Sequence, residues 1–432
     1  MTQKVSLFFI LWIMLISCKI NEVNTIESPL SELDSVYSIC KDVYFWNENL
    51  PNYSKEQLQS FQASKSLMKD LKTYSELHNS KPLDKWSFVM EKESWRKLQQ
   101  NQANGFGFEM VFASDEDLRI RVVYDQSNAY KQGLKRGLKI LRINGIEANV
   151  INKSLLSNEI KKTSVSLEFL NQKGLIENII LKASPFQKNP LINPQIIEAK
   201  IGYFYFDIFF GGDSIYSELD KLFTFFQKKE IKDLVIDLRY NHGGDGIMAL
   251  SIANSVIPKT AEDKIFSRSI NNNKYKILNY SLFLKPSTNN LNLKRVFFIT
   301  SQETASSSEI LINALRAVMD VKIIGASTNG KPFGFQQYAV GNNFIFPVSF
   351  KNINAKGFGE FYDGLPVNHE VADDLTKDFG DTEEDCLKSV LMYIKTGQFP
   401  SPKKKNRQAS KSNLSINEQE IPNIFYYSKA PF

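Results

Sequence analysis

The stretch "DLVIDLRYNHGGDGIMALSIANSVI", residues 233 to 257, decides how the chain folds. "DLVIDLR" reads as a buried strand, "YNHGGDG" as the glycine loop where it ends, and "IMALSIANSVI" as the helix that follows. The same rhythm recurs downstream. "RVFFIT" (295–300) is a strand, "ILINALRAVM" (310–319) a helix, and "VKIIGAS" begins the next strand at Val321. Upstream, the strand "KIGYFYFDI" precedes "SIYSELDKLFTFFQKK", an amphipathic helix with Leu219, Leu222, Phe223 and Phe226 on one side. Strand and helix in alternation imply right-handed crossovers and a largely parallel sheet. Sites in such sheets lie beyond the carboxyl ends of the strands. "YNHGGDG", "ETASSSE" and "STNGKPFG" all fall at such ends.

The second of these loops puts Ser306, Ser307 and Ser308 ahead of Glu309. That spacing fits a capping box, S-x-x-E, which any helix start attracts. Capping and nucleophilic roles are compatible, because a helix start offers a positive dipole end and outward N–H groups to an oxyanion. A nucleophilic serine also needs a base. The chain has three histidines: His78 in a polar loop, His369 in "PVNHE", and His242 in the glycine loop. A lysine can do the same work. An unperturbed lysine is neutral about once in 2,500 at pH 7, but burial depresses its pKa to ~7–8. Lys331 in "NGKPFGF" is the candidate; its bland alternative is a solvated loop lysine. "GASTNGKP" also imitates a phosphate-binding loop, but Pro332 stands where Ser or Thr would hold Mg²⁺, and no helix follows to receive phosphates.

Before residue 185 the period is two. Phe106, Phe108, Met110 and Phe112 alternate, "LRIRVVY" alternates, and "VSLEFLNQKGLIENIIL" reads as a hairpin turning at Asn171 to Gly174. "NAYKQGLKRGLKILRINGIEA" resembles the PDZ family, and "GFGF" (Gly105, Phe106, Gly107, Phe108) resembles that family's carboxylate-binding loop. The resemblance implies capture of a peptide C-terminus as an added strand, whereas the plain reading is a tight glycine turn. Earlier still, Leu33, Val36, Tyr37, Cys40, Val43 and Tyr44 line one helix face, and a second helix is expected over about Lys55 to Leu71. Cys40 and Cys386 lie on apolar helix faces and are expected as buried thiols.

The N-terminus has one positive charge before an apolar run from Ser6 to Ile16, shorter than the ~20 residues needed to span a bilayer. "LISC", residues 15 to 18, resembles a bacterial lipobox, which implies cleavage before Cys18 and lipidation of its sulfur. The alternative is a plain signal peptide with an incidental cysteine. The formal net charge of +6 is concentrated at the C-terminus, where six basic residues after Phe399 face only Glu418 and Glu420. The remaining body is nearly neutral, which argues against nucleic-acid binding. The basic run reads as a solvated flexible tail. No metal-ligand cluster or cofactor motif is present in the sequence, so neither is expected.

"DLVIDLRYNHGG", "TASSSEI" and "GASTNGKPFG", in that order, resemble the C-terminal processing (tail-specific) peptidases, in a lipoprotein branch typical of Bacteroidetes-type bacteria. "FYDGLPVNHEVADDLTKDFGD" extends the likeness toward the end. The resemblance implies an α/β, multidomain fold: a crotonase-like βαβ core, an inserted PDZ-like β domain and an N-terminal helical cap. It implies Ser306 as nucleophile and Lys331, 25 residues on, as base. It implies Gly243 and Ser307 as oxyanion-hole donors through their backbone N–H groups. The family's third member is a glutamine four residues after the lysine, where this chain has Phe335; Gln336 is the substitute a one-residue shift would bring in. The family's N-G-G-G loop has His242 at its first glycine here, either lining the site or capping the loop.

The expected organisation is a signal peptide (1–17), a tether (18–30), a helical domain (31–100), a PDZ-like domain (101–184), a peptidase core (185–398) and a basic tail (399–432). The expected partners are polypeptides with apolar C-termini and a membrane reached through Cys18, in the cell envelope. The rival is a non-catalytic peptide-binding lipoprotein scaffold; a hydrolase of non-peptide esters is a second.

Overall fold

The computed structural model describes residues 31–401 and two short segments, 415–416 and 424–426. The expected signal peptide, Cys18 and the tether lie outside the described residues.

Helix α1 (Glu32–Val43) opens on a full capping box: Ser31 Oγ accepts the Asp34 N–H and Asp34 accepts the Ser31 N–H. The helix expected over 55 to 71 is two, α2 (Lys55–Gln59) and α3 (Ser64–Leu71). Ala63 is extended between them, with φ −164° and ψ 162°, and Ser66 Oγ accepts its N–H. Local polar capping overrides the continuous apolar spacing. With α4 (Lys92–Gln99), this region buries Val36, Cys40, Leu67 and Trp95 against Phe333, Phe335 and Phe346. The N-terminal helices thus share one hydrophobic core with the strand that follows Lys331. Cys40 and Cys386 are both buried and free, as expected.

The next unit is antiparallel. Strands β1 (Phe108–Ser114), β2 (Asp117–Val123), β3 (Lys139–Ile143), β4 (Ser164–Leu170) and β5 (Ile176–Lys182) lie in the order β5-β4-β3-β2-β1. Helix α5 (Asn128–Lys131) precedes β3 and α6 (Lys153–Glu159) precedes β4. Phe106, Met110, Ile120, Ile140 and Leu167 form its own core. Its two ends meet in a ribbon: Gln102–Gly105 pairs with Ser184–Gln187, and the Lys188 N–H bonds the Asn101 carbonyl at 2.8 Å.

The core follows. Its elements are β6 (Leu191–Ile197), β7 (Ile201–Phe206), α7 (Gly212–Lys228), β8 (Asp233–Asp237), β9 (Gly243–Asp245), α8 (Gly246–Val256), β10 (Arg295–Thr300), α9 (Ser307–Val318), β11 (Asp320–Gly325), β12 (His369–Glu370) and α10 (Asp385–Thr396). The sheet runs β6-β7-β8-β10-β11-β12, parallel throughout except for β6 against β7. Alternate residues divide between its faces. Phe204, Ile236, Phe298 and Ile323 pack under α7, α8 and α9. Tyr203, Val235, Phe297 and Ile324 pack under α10, together with Val122 and Tyr124 of the antiparallel unit.

The tail departs from the expected solvated coil. Within it, β13 (Ser415–Ile416) pairs antiparallel with β1, Ser415 opposite Val111 and Ile416 opposite Met110. Then β14 (Ile424–Tyr426) pairs in parallel with β9, Gly243 opposite Ile424.

Candidate active site

Three loops converge at the carboxyl ends of β8, β10 and β11. The first is pinned by Asn241, whose Nδ2 donates to the Phe206 carbonyl at 2.9 Å and whose carbonyl accepts the Ala305 N–H at 3.0 Å. The Phe209 N–H bonds the Gly243 carbonyl, and the Asp245 N–H bonds the Phe209 carbonyl, both at 2.9 Å. Gly244 has φ +133°, and a Cβ there would lie 2.6 Å from the Phe209 oxygen. Only glycine permits that approach.

The second loop carries the serines, and their hydroxyls are not equivalent. Ser307 Oγ donates to the Gly244 carbonyl at 2.7 Å, and Ser308 Oγ to the Asn241 carbonyl at 3.3 Å. Ser306 Oγ is buried and has no hydrogen-bond partner among the described residues. Ser306 also sits at φ +64°, ψ −116°, a strained conformation for a residue with a Cβ. The expected capping box is therefore half formed. Glu309 accepts the Ser306 N–H at 2.8 Å, but the Ser306 hydroxyl caps nothing.

Lys331 is fully buried. Burial drives its amine well below the usual lysine value, and the carboxylates of Asp84 and Glu309 pull only partly the other way. Its Nζ lies 3.7 Å from the centroid of the Phe335 ring. Gly330 before it has φ +97°, and a Cβ there would meet the Tyr362 oxygen at 2.2 Å.

One carboxylate joins the two loops. Glu309 accepts from Ser306 N and Lys331 N through Oε2, and from Gly330 N and Thr328 Oγ1 through Oε1. Burial pushes the Glu309 carboxyl above the usual value, and these four donors offset only part of the rise. The capping spacing pointed to Glu309 as a cap; nothing local in the sequence foretold that it also grips the lysine loop. Asn241, Thr328 and Asp84 were likewise missed, because their roles exist only across loops far apart in the chain.

Two expectations need correction. Gln336 is exposed, its Oε1 accepts from the Tyr338 hydroxyl at 2.5 Å, and it makes no bond to Lys331. Phe335 faces the lysine instead, because the strand 333–335 turns residue 335 inward and 336 outward. The Gly243 N–H, expected to point at an oxyanion, donates to Asn241 Oδ1 at 2.8 Å. The Ser307 N–H has no acceptor among the described residues.

His242 stands at the tip of the glycine loop, its Nε2 3.5 Å from Glu303. Glu303 pairs with Arg121 at 2.7 Å, and Arg121 with Glu109 at 2.9 Å. Arg121 and Glu109 lie on β2 and β1, so a buried ionic chain links the antiparallel unit to the serine loop. At the "GFGF" turn, Phe106 and Phe108 are buried. The Phe106 and Gly107 carbonyls are bonded inward, to the Ala129 and Tyr124 N–H groups, each at 3.0 Å. Among the described residues no cluster of His, Cys, Asp and Glu could hold a metal ion.

Residues 200–360 match the sequence model of Peptidase family S41. The chain is similar to the carboxy-terminal processing protease CtpB of Bacillus subtilis (strain 168), 26% identical over 265 residues. That match covers 60% of this chain and 53% of CtpB, so it spans about half of the curated relative's length. The fold is similar to a crystal structure described as an S41 protease from Bacteroides fragilis NCTC 9343. That structure has a TM-score of 0.69 and 22% identity, with 84% of this chain and 97% of that one covered. The photosystem II D1 C-terminal processing protease aligns more loosely, at a TM-score of 0.47 and 14% identity, over 79% of this chain and 92% of that one. The order of elements and the likeness to the Bacteroides fragilis structure make the fold mixed α/β and multidomain.

Proposed function

We propose that the chain is a serine endopeptidase in which Ser306 is the nucleophile and Lys331 the base. The observation that carries this reading is the contrast among three adjacent serines. Two hydroxyls are tied to the glycine loop, and the third is buried, unpartnered and clipped through Glu309 to a desolvated lysine. A buried lysine that favours its neutral form can take the hydroxyl proton. As Oγ bonds the scissile carbonyl carbon, that proton passes to Nζ. When the C–N bond breaks, the ammonium returns it to the leaving amine. Water then hydrolyses the acyl-serine with Lys331 again the base. The Ser307 N–H supplies an oxyanion donor.

The Gly105–Phe108 turn and the edge of β1 receive the C-terminus of an unfolded polypeptide, apolar at its last residues. Cys18, lipidated after cleavage of residues 1–17, anchors the protein in the cell envelope. Incorporation of radiolabelled palmitate into wild type and not into Cys18→Ala tests the anchor.

The deciding experiment incubates the protein with unfolded polypeptides that differ only in their last three residues, beside Ser306→Ala and Lys331→Ala. Wild type should cleave, with a preference among C-termini, and both variants should lose at least ~10³-fold. Equal cleavage by all three would sink the assignment. Equal binding without cleavage by any of them would favour the scaffold reading.

A further inference from the structure

Asp84 is a buried carboxyl, 3% exposed, on the loop ahead of the strand Phe88–Glu91. Its Oδ1 accepts the Trp86 and Ser87 N–H groups at 2.8 and 2.9 Å. Its Oδ2 accepts the Tyr44 hydroxyl at 2.8 Å and the Ser87 hydroxyl at 2.5 Å. The Ser87 oxygen itself accepts the Val348 N–H at 2.9 Å, which leaves its proton for Asp84. Both carboxyl oxygens thus act as acceptors, the pattern of an ionised group. A turn alone does not call for that charge. An asparagine would close the same turn, because both backbone N–H groups go to one oxygen. No ion pair among the described residues includes Asp84, and a buried anion without a cation is costly.

The charge reaches the lysine. Val348 stands opposite Phe335 where strand 333–335 pairs with 348–353, and Lys331 Nζ lies over the Phe335 ring. Trp86 packs its ring against Phe333 and donates its Nε1–H to Asn329 Oδ1 at 3.3 Å, so it grips the chain on both sides of Lys331. Asp84 and Glu309 are the carboxylates that favour the protonated amine, Asp84 the more strongly. Burial first, and Asp84 next, push the Tyr44 hydroxyl and the Cys40 thiol up, so these neighbours of Asp84 stay neutral.

We propose that Asp84 is a positioning residue of the reaction: a fixed anion, contributed by the N-terminal region, that balances Lys331 when its amine becomes an ammonium. The role rests on the peptidase reading. As Ser306 Oγ bonds the scissile carbonyl carbon, the C=O electron pair moves to oxygen and the hydroxyl proton moves to Nζ. A cation then stands in a buried site. The face of Phe335 offsets part of its charge, and Asp84 supplies a full opposite charge without touching either reactant. Gln336, turned outward, takes no part.

The test uses the full chain with Asp84→Asn, Asp84→Glu and Tyr44→Phe. The amide fits, because both hydroxyls can turn to accept its N–H groups. Asp84→Ser is the neutral substitute should Asp84→Asn fail to fold. Two midpoints are followed. One is that of the pH–kcat profile on an unfolded polypeptide. The other is the titration of the Lys331 ε-carbon by NMR in a Ser306→Ala background, its signal assigned by loss in Lys331→Met. In the neutral variant both midpoints should fall by at least ~0.5 in pH, and plateau kcat should fall ~10-fold with KM little changed. Asp84→Glu should hold both midpoints. Tyr44→Phe removes a donor and keeps the charge, so it should lose stability without lowering either midpoint. Midpoints that stay in place in the neutral variant overturn the proposal. An equal fall in Asp84→Glu or Tyr44→Phe overturns it too, since the loss is then one of structure. A lysine titration that falls in the neutral variant, while no chain cleaves, leaves the coupling of Asp84 to Lys331 standing and overturns the peptidase reading instead.

Discussion

Glu309 accepts the backbone N–H of Lys331 at 2.8 Å, on the same oxygen that holds the Ser306 N–H at 2.8 Å. The two nitrogens are therefore no further apart than twice that length. The separation of the Ser306 and Lys331 backbones is thus bounded by one fully buried carboxylate, although 24 residues lie between them in the chain.

Glu309→Gln tests this clip. The amide keeps the shape but offers N–H groups to donors, so at least one of the four bonds is lost and a buried N–H is left unpaired. The variant should lose about 2–4 kcal/mol of stability. At a temperature where it is still folded, kcat should fall ~10²-fold with KM little changed, because positioning rather than binding is lost. Unchanged kcat in folded Glu309→Gln would limit the carboxylate to a cap.

The pH profile of cleavage follows from Lys331. Its amine is held well below the ordinary lysine value by burial, and only a neutral amine can serve as the proposed base. The rate should therefore rise with pH through an apparent pKa well under 10, then level off. A profile that climbs only above pH 10 contradicts a desolvated base.

The same lysine strains the fold. Its folded pKa lies below its unfolded value of ~10.4, so between the two the unfolded chain binds more protons and stability rises with pH. The penalty is largest below the folded pKa and vanishes above ~10.4. Lys331→Met should remove it, raising stability at pH 7 by at least about 1 kcal/mol and flattening the dependence between pH 7 and 10. Thermal melts across that range read both effects.

Arg121→Ala addresses the ionic chain between the antiparallel unit and the serine loop. It leaves the buried Glu109 and the half-buried Glu303 without their shared cation. The expected loss is about 3–5 kcal/mol, with Glu109→Gln/Arg121→Met milder than the single change. A double-mutant cycle on melting temperature measures the difference.

Much of the core was legible in the chain. The alternation of "KIGYFYFDI" and "DLVIDLR" with amphipathic helices is a local signal of period, and it survives as β7, β8 and the helices over them. Spacing singled out the Ser306 and Lys331 loops, and Glu309 joins them. What could not be read is nonlocal or competitive. The break at Ala63 reflects side-chain capping against apolar spacing. The outward turn of Gln336 depends on strand phase over three residues. The tail's basic composition hides two short strands, because backbone pairing depends on an available edge rather than on the residues that fill it.

The ribbon between 102–105 and 184–187 brings the beginning and end of the antiparallel unit within a single pair of hydrogen-bonded strands. A module whose two ends already touch can be exchanged by recombination without stretching its host. Selection can thus replace the antiparallel unit while the parallel core stays as it is.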